Sequence, residues 1–215
     1  MVKGRTSFLR VHTIRHSPFT DRMQLLNLTL EIEQLIADIV CRLEEFGHID
    51  PRRIMTCIAS TRGGGGHGTY AKIHPLRFEN GNRTTRTHRR GGATIYEIPP
   101  VVRNGVEMLY IIYFLVPRFL DLPLREKLIT IVHELYHISP DFNGDIRRFP
   151  GKNFAHGSSR KRYNVLMAEL VERYLAASGD PARIAFLEGD MAAMRGRHGA
   201  IVGRKMAAPR LRMVD

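Results

Sequence analysis

Between Leu122 and Pro140 the chain carries His133-Glu134-Leu135-Tyr136-His137, two histidines four residues apart with a glutamate directly after the first. In a helix, residues at that spacing leave the same face. Both imidazoles can then converge on one Zn²⁺, with Glu134 beside the metal to activate its bound water. This is the chemistry of zinc peptidases: the metal lowers the pKa of water and polarises the scissile carbonyl, and the carboxylate carries the proton to the leaving amine.

The flanks predict a helix around the motif. Leu124, Leu128, Ile131, Val132, Leu135 and Ile138 recur at helical spacing, and Pro123 suits a first turn, where its missing N–H would be unbonded anyway. This apolar stripe lies nearly opposite His133 and His137, so one face packs and the other is left for metal.

A catalytic zinc takes three protein ligands and keeps a fourth position for water. A third histidine close behind the helix, as in His-Glu-x-x-His-x-x-Gly-x-x-His, is absent, because Pro140 and Asn143 occupy those places. His156, followed by Gly157 in a long polar loop over 139–161, is the first candidate, since such a loop can fold back over the open helix face. Glu169 is the alternative ligand, and Asp141, Asp145 and His67 are further ones. Tyr163 is the candidate transition-state stabiliser, with Tyr136, His67 and the arginines between 147 and 162 as other donors.

The elements that must position these groups follow from the rest of the pattern. Residues 1–20 have no sustained period and predict an extended arm. Met23 to Phe46 read as one long amphipathic helix, starting near Asp21 and ended by Gly47. Short β-type segments follow at Ile54 to Ser60, Thr69 to Phe78, Ala93 to Ile98 and Glu107 to Val116. Beyond the motif, helices are expected over Tyr163 to Ala177 and from Pro181 to about Arg195. The domain assignment is therefore an arm over 1–20, one domain over 21–195 and a disordered basic tail over 196–215.

A chain of 215 residues, 43% hydrophobic, has enough material for a core. Cys41 and Cys57 form no Cys-x-x-Cys pair, which argues against a disulfide framework or a structural zinc ribbon and for a reducing cytoplasm. Met1 to Arg10 has no apolar run of the secretory kind, and Val106 to Val116 is too short to span a bilayer, so no membrane partner is expected.

The net charge of +12 is unevenly spread. Residues 52–90 hold nine Lys or Arg against Glu79 alone, and 147–162 hold six against none. The glycine run Arg62 to Thr69 lacks the Lys-Ser/Thr ending of a phosphate-binding P-loop and reads as a hairpin or cleft loop. Glu79 to Gly92 reads as a mobile basic loop in which Arg83, Arg86, Arg89 and Arg90 are candidate nucleic-acid contacts through phosphate.

The run Ile129-Thr-Ile-Val-His-Glu-Leu-Tyr-His-Ile-Ser-Pro-Asp-Phe-Asn-Gly-Asp-Ile-Arg147, preceded by an apolar strand, resembles the phage-type metallopeptidase family and, more distantly, SprT/Spartan proteases. In the latter a His-Gly after the helix supplies the third ligand, a type matched by His156-Gly157. The resemblance implies an α+β, zincin-like fold: N-terminal helix, small mostly antiparallel sheet, the motif helix and C-terminal supporting helices. It also implies an edge strand that binds an extended peptide by β-augmentation.

The primary expectation is a zinc-dependent metalloendopeptidase with one catalytic Zn²⁺ on His133, His137 and His156, Glu134 as base, and a peptide or protein substrate. The alternative is a basic nucleic-acid-associated protein whose zinc site is structural or inactive. A third reading is a zinc hydrolase of a non-peptide amide.

Overall fold

The computed structural model describes residues 25–60, 69–89, 92–149, 159–177 and 180–214. In chain order the elements are β1 (Leu26–Asn27), α1 (Leu28–Arg42), β2 (Ile54–Ser60), β3 (Ala71–Pro75), β4 (Thr84–Arg89) and β5 (Gly92–Glu97). They continue with β6 (Val102–Arg103), β7 (Val106–Glu107), β8 (Tyr110–Val116), α2 (Leu124–Tyr136), α3 (Arg160–Ala177), α4 (Ala182–Ala185), α5 (Met191–Arg197), β9 (Ile201–Val202) and β10 (Arg212–Met213). The architecture is α+β with small mixed sheets.

The central sheet has the order β2-β8-β3. It is mixed rather than mostly antiparallel: β2 runs parallel to β8, with Ile54 opposite Tyr110, and β3 runs antiparallel to it. Strand β8 is apolar throughout because both of its faces are covered. Tyr110, Ile112 and Phe114 join the core built with α1, α2 and α3, while Ile111 and Tyr113 pack with Met55, Cys57, Leu76 and Met108 on the other side.

Helix α1 begins at Leu28, not near Asp21, and ends at Arg42 before a 3₁₀ turn over Glu44–Phe46. Asn27 sets the start: its side chain accepts from the Leu30 N–H, and its backbone lies in β1, paired with β9. The expected helix after Pro181 is divided into α4 and α5. Gly189 has φ +72 at the break, a backbone setting that favours glycine.

The basic segment expected to be a mobile loop contains β4. Thr84 to Arg89 pairs antiparallel with β5, Arg86 lying opposite Ile95. Threonines at alternate positions favour a strand, and the density of arginine hides that signal in the sequence.

The expected disorder of the tail is also corrected. From Ala200 the tail crosses the molecule: β9 pairs with β1, and the Arg204 carbonyl accepts from the Ile58 N–H at 2.8 Å along the outer edge of β2. Strand β10 then adds to β5. Arg204 anchors the crossing, its Nη1 bonding Glu33 Oε1 at 2.5 Å and the Thr56 carbonyl at 2.8 Å. Glu33 also accepts from the Thr56 N–H. The open edge of β2 is thus closed by a side chain and the tail together.

Removing the Arg204 guanidinium should lower stability by about 1–2 kcal/mol, because Glu33 keeps Arg103 as a partner while the Thr56 carbonyl loses its own. A urea midpoint for Arg204→Ala equal to that of wild type would show that the tail is not docked.

Candidate active site

Helix α2 is held from behind and at its end. Lys127 is buried and donates its Nζ to the carbonyls of Leu187 and Gly189, which ties the α4–α5 turn to the back of the helix. At the other end the Arg147 N–H donates to the His137 carbonyl at 2.6 Å, and its Nε donates to the Tyr136 carbonyl at 2.9 Å. A cation at these terminal carbonyls stops the helix just after the second histidine and opposes the negative end of its dipole. The same guanidinium lies 4.4 Å from the centre of the Tyr136 ring.

The two imidazoles converge. His133 Nε2 and His137 Nε2 are 3.0 Å apart. Two nitrogens on one tetrahedral metal at about 2.0–2.1 Å would lie roughly 3.4 Å apart, so the pair fits a shared divalent ion. The Tyr163 ring from α3 packs on both, with centroid distances of 5.1 Å to His133 and 6.0 Å to His137. Tyr136 and Phe149 complete an aromatic surround.

Glu134 is 6% exposed. Burial pushes its carboxyl up to about 7, while the Ile73 N–H of β3, bonded to the carboxylate, pulls it down. Burial also raises the Tyr163 hydroxyl, with the Glu134 charge adding to the shift, so the phenol stays protonated at neutral pH.

A cleft of about 600 Å³ opens beside the pair, between Thr69, Tyr70 and Ala71 leading into β3, the α2 face bearing Ile129, Thr130, His133 and Glu134, and Asn164 and Ala168 of α3. Arg125, paired with Glu172 at 2.8 Å, stands on its rim. Strand β3 is the edge of the central sheet on this side.

The candidate third ligands are placed unequally. Glu169 is exposed on α3, and among the described residues no third His, Cys, Asp or Glu joins the histidine pair around a metal position. Asp145 is engaged elsewhere, since its carboxylate accepts from the Asn80 N–H and the Arg148 guanidinium, and its carbonyl accepts from the Tyr110 hydroxyl. Asp141 is exposed. His156 and His67 lie outside the described residues, as do Arg90 and the side chain of Arg89. Arg147 and Arg148 are both committed to structural partners rather than open to the cleft.

Sequence reasoning missed the Ile73 N–H, the Arg147 cap and the Asn164–Ala168 wall. The first joins residues sixty-one positions apart and the second spans the loop after α2, eleven positions from Tyr136, and neither has a periodic signal. The third was readable in part, since positions 164 and 168 are one turn apart on a helix that the spacing does predict.

An α+β chain that aims two imidazoles from one helix face at a common point supplies two of the three protein ligands that a catalytic divalent metal takes. The chain belongs to the family described as "putative phage metallopeptidase", whose model matches residues 27–177, well over half of the chain. No curated protein and no solved structure gave a match. Among the described residues no helix is long and apolar enough to cross a membrane.

Proposed function

We propose that this chain is a zinc-dependent endopeptidase. One observation carries the reading: the imidazoles of His133 and His137 meet at 3.0 Å directly beside a buried Glu134, at the floor of a cleft bounded by a sheet edge. His133 and His137 would hold the metal. His156 is the proposed third ligand, supported by the ends of its segment. Phe149 before it and Tyr163 after it touch each other, and Tyr163 packs on the histidine pair.

A bound Zn²⁺ supplies Lewis acidity at the scissile carbonyl and a lowered pKa for water. Glu134 accepts the proton of the attacking water at its carboxylate and passes it to the leaving nitrogen. Burial lifts this carboxyl in the metal-free site, and a bound cation would draw it back toward the ionised form that accepts the proton. The Ile73 N–H holds the carboxylate in place. Tyr163 fixes the imidazoles by packing, and its protonated hydroxyl is the proposed donor to the developing oxyanion.

Substrate recognition is proposed to use β3. A peptide laid antiparallel along this edge would gain main-chain hydrogen bonds with little demand on its side chains. The cleft walls, Ile129, Thr130, Asn164 and Ala168, would then receive one side chain of modest size.

The direct test is hydrolysis of an unfolded protein such as casein by the purified chain. Cleavage should disappear with a chelator and return with added Zn²⁺; cleavage that continues unchanged in the chelator would remove this reading.

A further inference from the structure

We propose that one face of the β10-β5-β4 sheet is a sequence-independent docking surface for the phosphate backbone of a nucleic acid. This is independent of the peptidase reading. The register decides which residues share the face. Arg212 stands opposite Glu97, which stands opposite Thr84, and Arg86 stands opposite Ile95. Since alternate residues point the same way, Thr84, Arg86 and His88 of β4, Ala93, Ile95 and Glu97 of β5, and Arg212 of β10 lie together.

Burial agrees with this assignment: Thr84, Arg86 and His88 are exposed, whereas Thr85 and Thr87 between them are half-buried. Arg212 is exposed, as are Arg210 two residues before it and Lys205. Arg86 and Arg212 enter no ion pair among the described residues, while Arg83, Arg103 and Arg204 are committed to Glu107 or Glu33. Arg83 therefore leaves the set of phosphate contacts expected from sequence, and Arg212 joins it.

Strands β4 and β10 are two strand spacings apart, and Arg86 is two residues out of line with Arg212. Their Cα atoms are thus separated by roughly 12 Å, which lets two long cationic arms reach different phosphates. Glu97 between them is the one acid on the face, and it leaves a net positive charge.

The chemistry favours phosphate over an acidic protein. Of the 33 cationic side chains in the chain 27 are arginine, whose planar fork bonds phosphate oxygens in pairs. A protein partner would need a large anchor, typically aromatic, at the centre of the patch, and the apolar residues of this face are Ala93, Ile95 and Val214, none of them aromatic. Thr84 and His88 add neutral donors of the kind that bond phosphate oxygens. The whole-chain charge of +12 would speed the encounter without choosing the site.

The test uses the full chain and fluorescence anisotropy with a labelled duplex DNA and a labelled single-stranded RNA, each over a range of salt. Wild type should bind at least one of them with an affinity that falls linearly in the logarithm of salt. For the duplex, Arg86→Ala/Arg212→Ala should lower the slope by about 1.8, the loss of two phosphate contacts, and for the single strand by about 1.4. Arg52→Ala/Arg162→Ala removes two exposed arginines elsewhere and should leave the slope unchanged. Absence of binding to either nucleic acid, an equal slope change in both double variants, no change in the first, or equally tight binding of poly-glutamate would each overturn the proposal.

Discussion

Glu134→Gln is expected to reduce peptide hydrolysis by about 10²- to 10⁴-fold while the protein still binds its metal. The amide has nearly the shape of the carboxylate and can still accept from the Ile73 N–H, so packing at the 6%-exposed site is kept. What disappears is the ability to take a proton from water and return it to the leaving nitrogen. Because the imidazoles that meet at 3.0 Å are untouched, zinc content should match wild type. Turnover within tenfold of wild type would remove Glu134 from the base role. Loss of zinc together with activity would instead assign the side chain to metal binding.

The same substitution should raise the stability of the metal-free protein near neutral pH. The carboxyl has an ordinary value of 4.5 and is pushed up to about 7 in the fold, chiefly by burial. Between these values the unfolded chain has already released this proton and the folded chain has not. The unfolded state then binds fewer protons, and stability falls as pH rises through the window. At about 1.4 kcal/mol per pH unit, wild type loses on the order of 3 kcal/mol by the time the folded carboxyl has ionised. Glutamine has no such loss. Urea denaturation of both proteins in chelator should show equal sensitivity to pH below about 4.5 and a widening advantage for Glu134→Gln up to neutrality. The gap should narrow when Zn²⁺ is restored, because a nearby cation favours the carboxylate. A gap that does not vary with pH would show that Glu134 is not held in a desolvated site.

Both predictions rest on one carboxylate whose identity is readable in the chain and whose environment is not. That Glu134 follows His133 is a matter of spelling. That it is buried against the N–H of Ile73, sixty-one positions earlier, depends on β3 lying at the sheet edge. Tyr163 behaves similarly: its helix is predicted by spacing, but the contact of its ring with both imidazoles, edge-on to His133 and stacked on His137, follows from how α3 crosses α2. Glu169, six positions further along that helix, faces solvent, and periodicity alone could not exclude it from the site.

The arginine-rich segments mislead for a physical reason. Arginine has little preference between strand and loop, so a run of it reads as solvated chain, and strand identity then depends on the partner. Thr84 to Arg89 becomes a strand because β5 lies beside it, and Arg212–Met213 becomes one because the tail is delivered there by Arg204 and Glu33. For the tail, neither the strand it joins nor the acid that anchors it lies anywhere near it in the chain.

By itself the sequence determined what is local: the helix around His133 and His137, the convergence of their imidazoles through a four-residue spacing, the apolar stripe behind them and the positions of β2 and β8. These depend on backbone periodicity, which a short window contains. Only the tertiary structure decided the mixed direction of the central sheet, the burial of Glu134, the cap that Arg147 places on α2 and the course of the tail along β2 to β5. Each of these is a pairing or burial between separate segments, and its free energy exists only when the whole chain has closed around it.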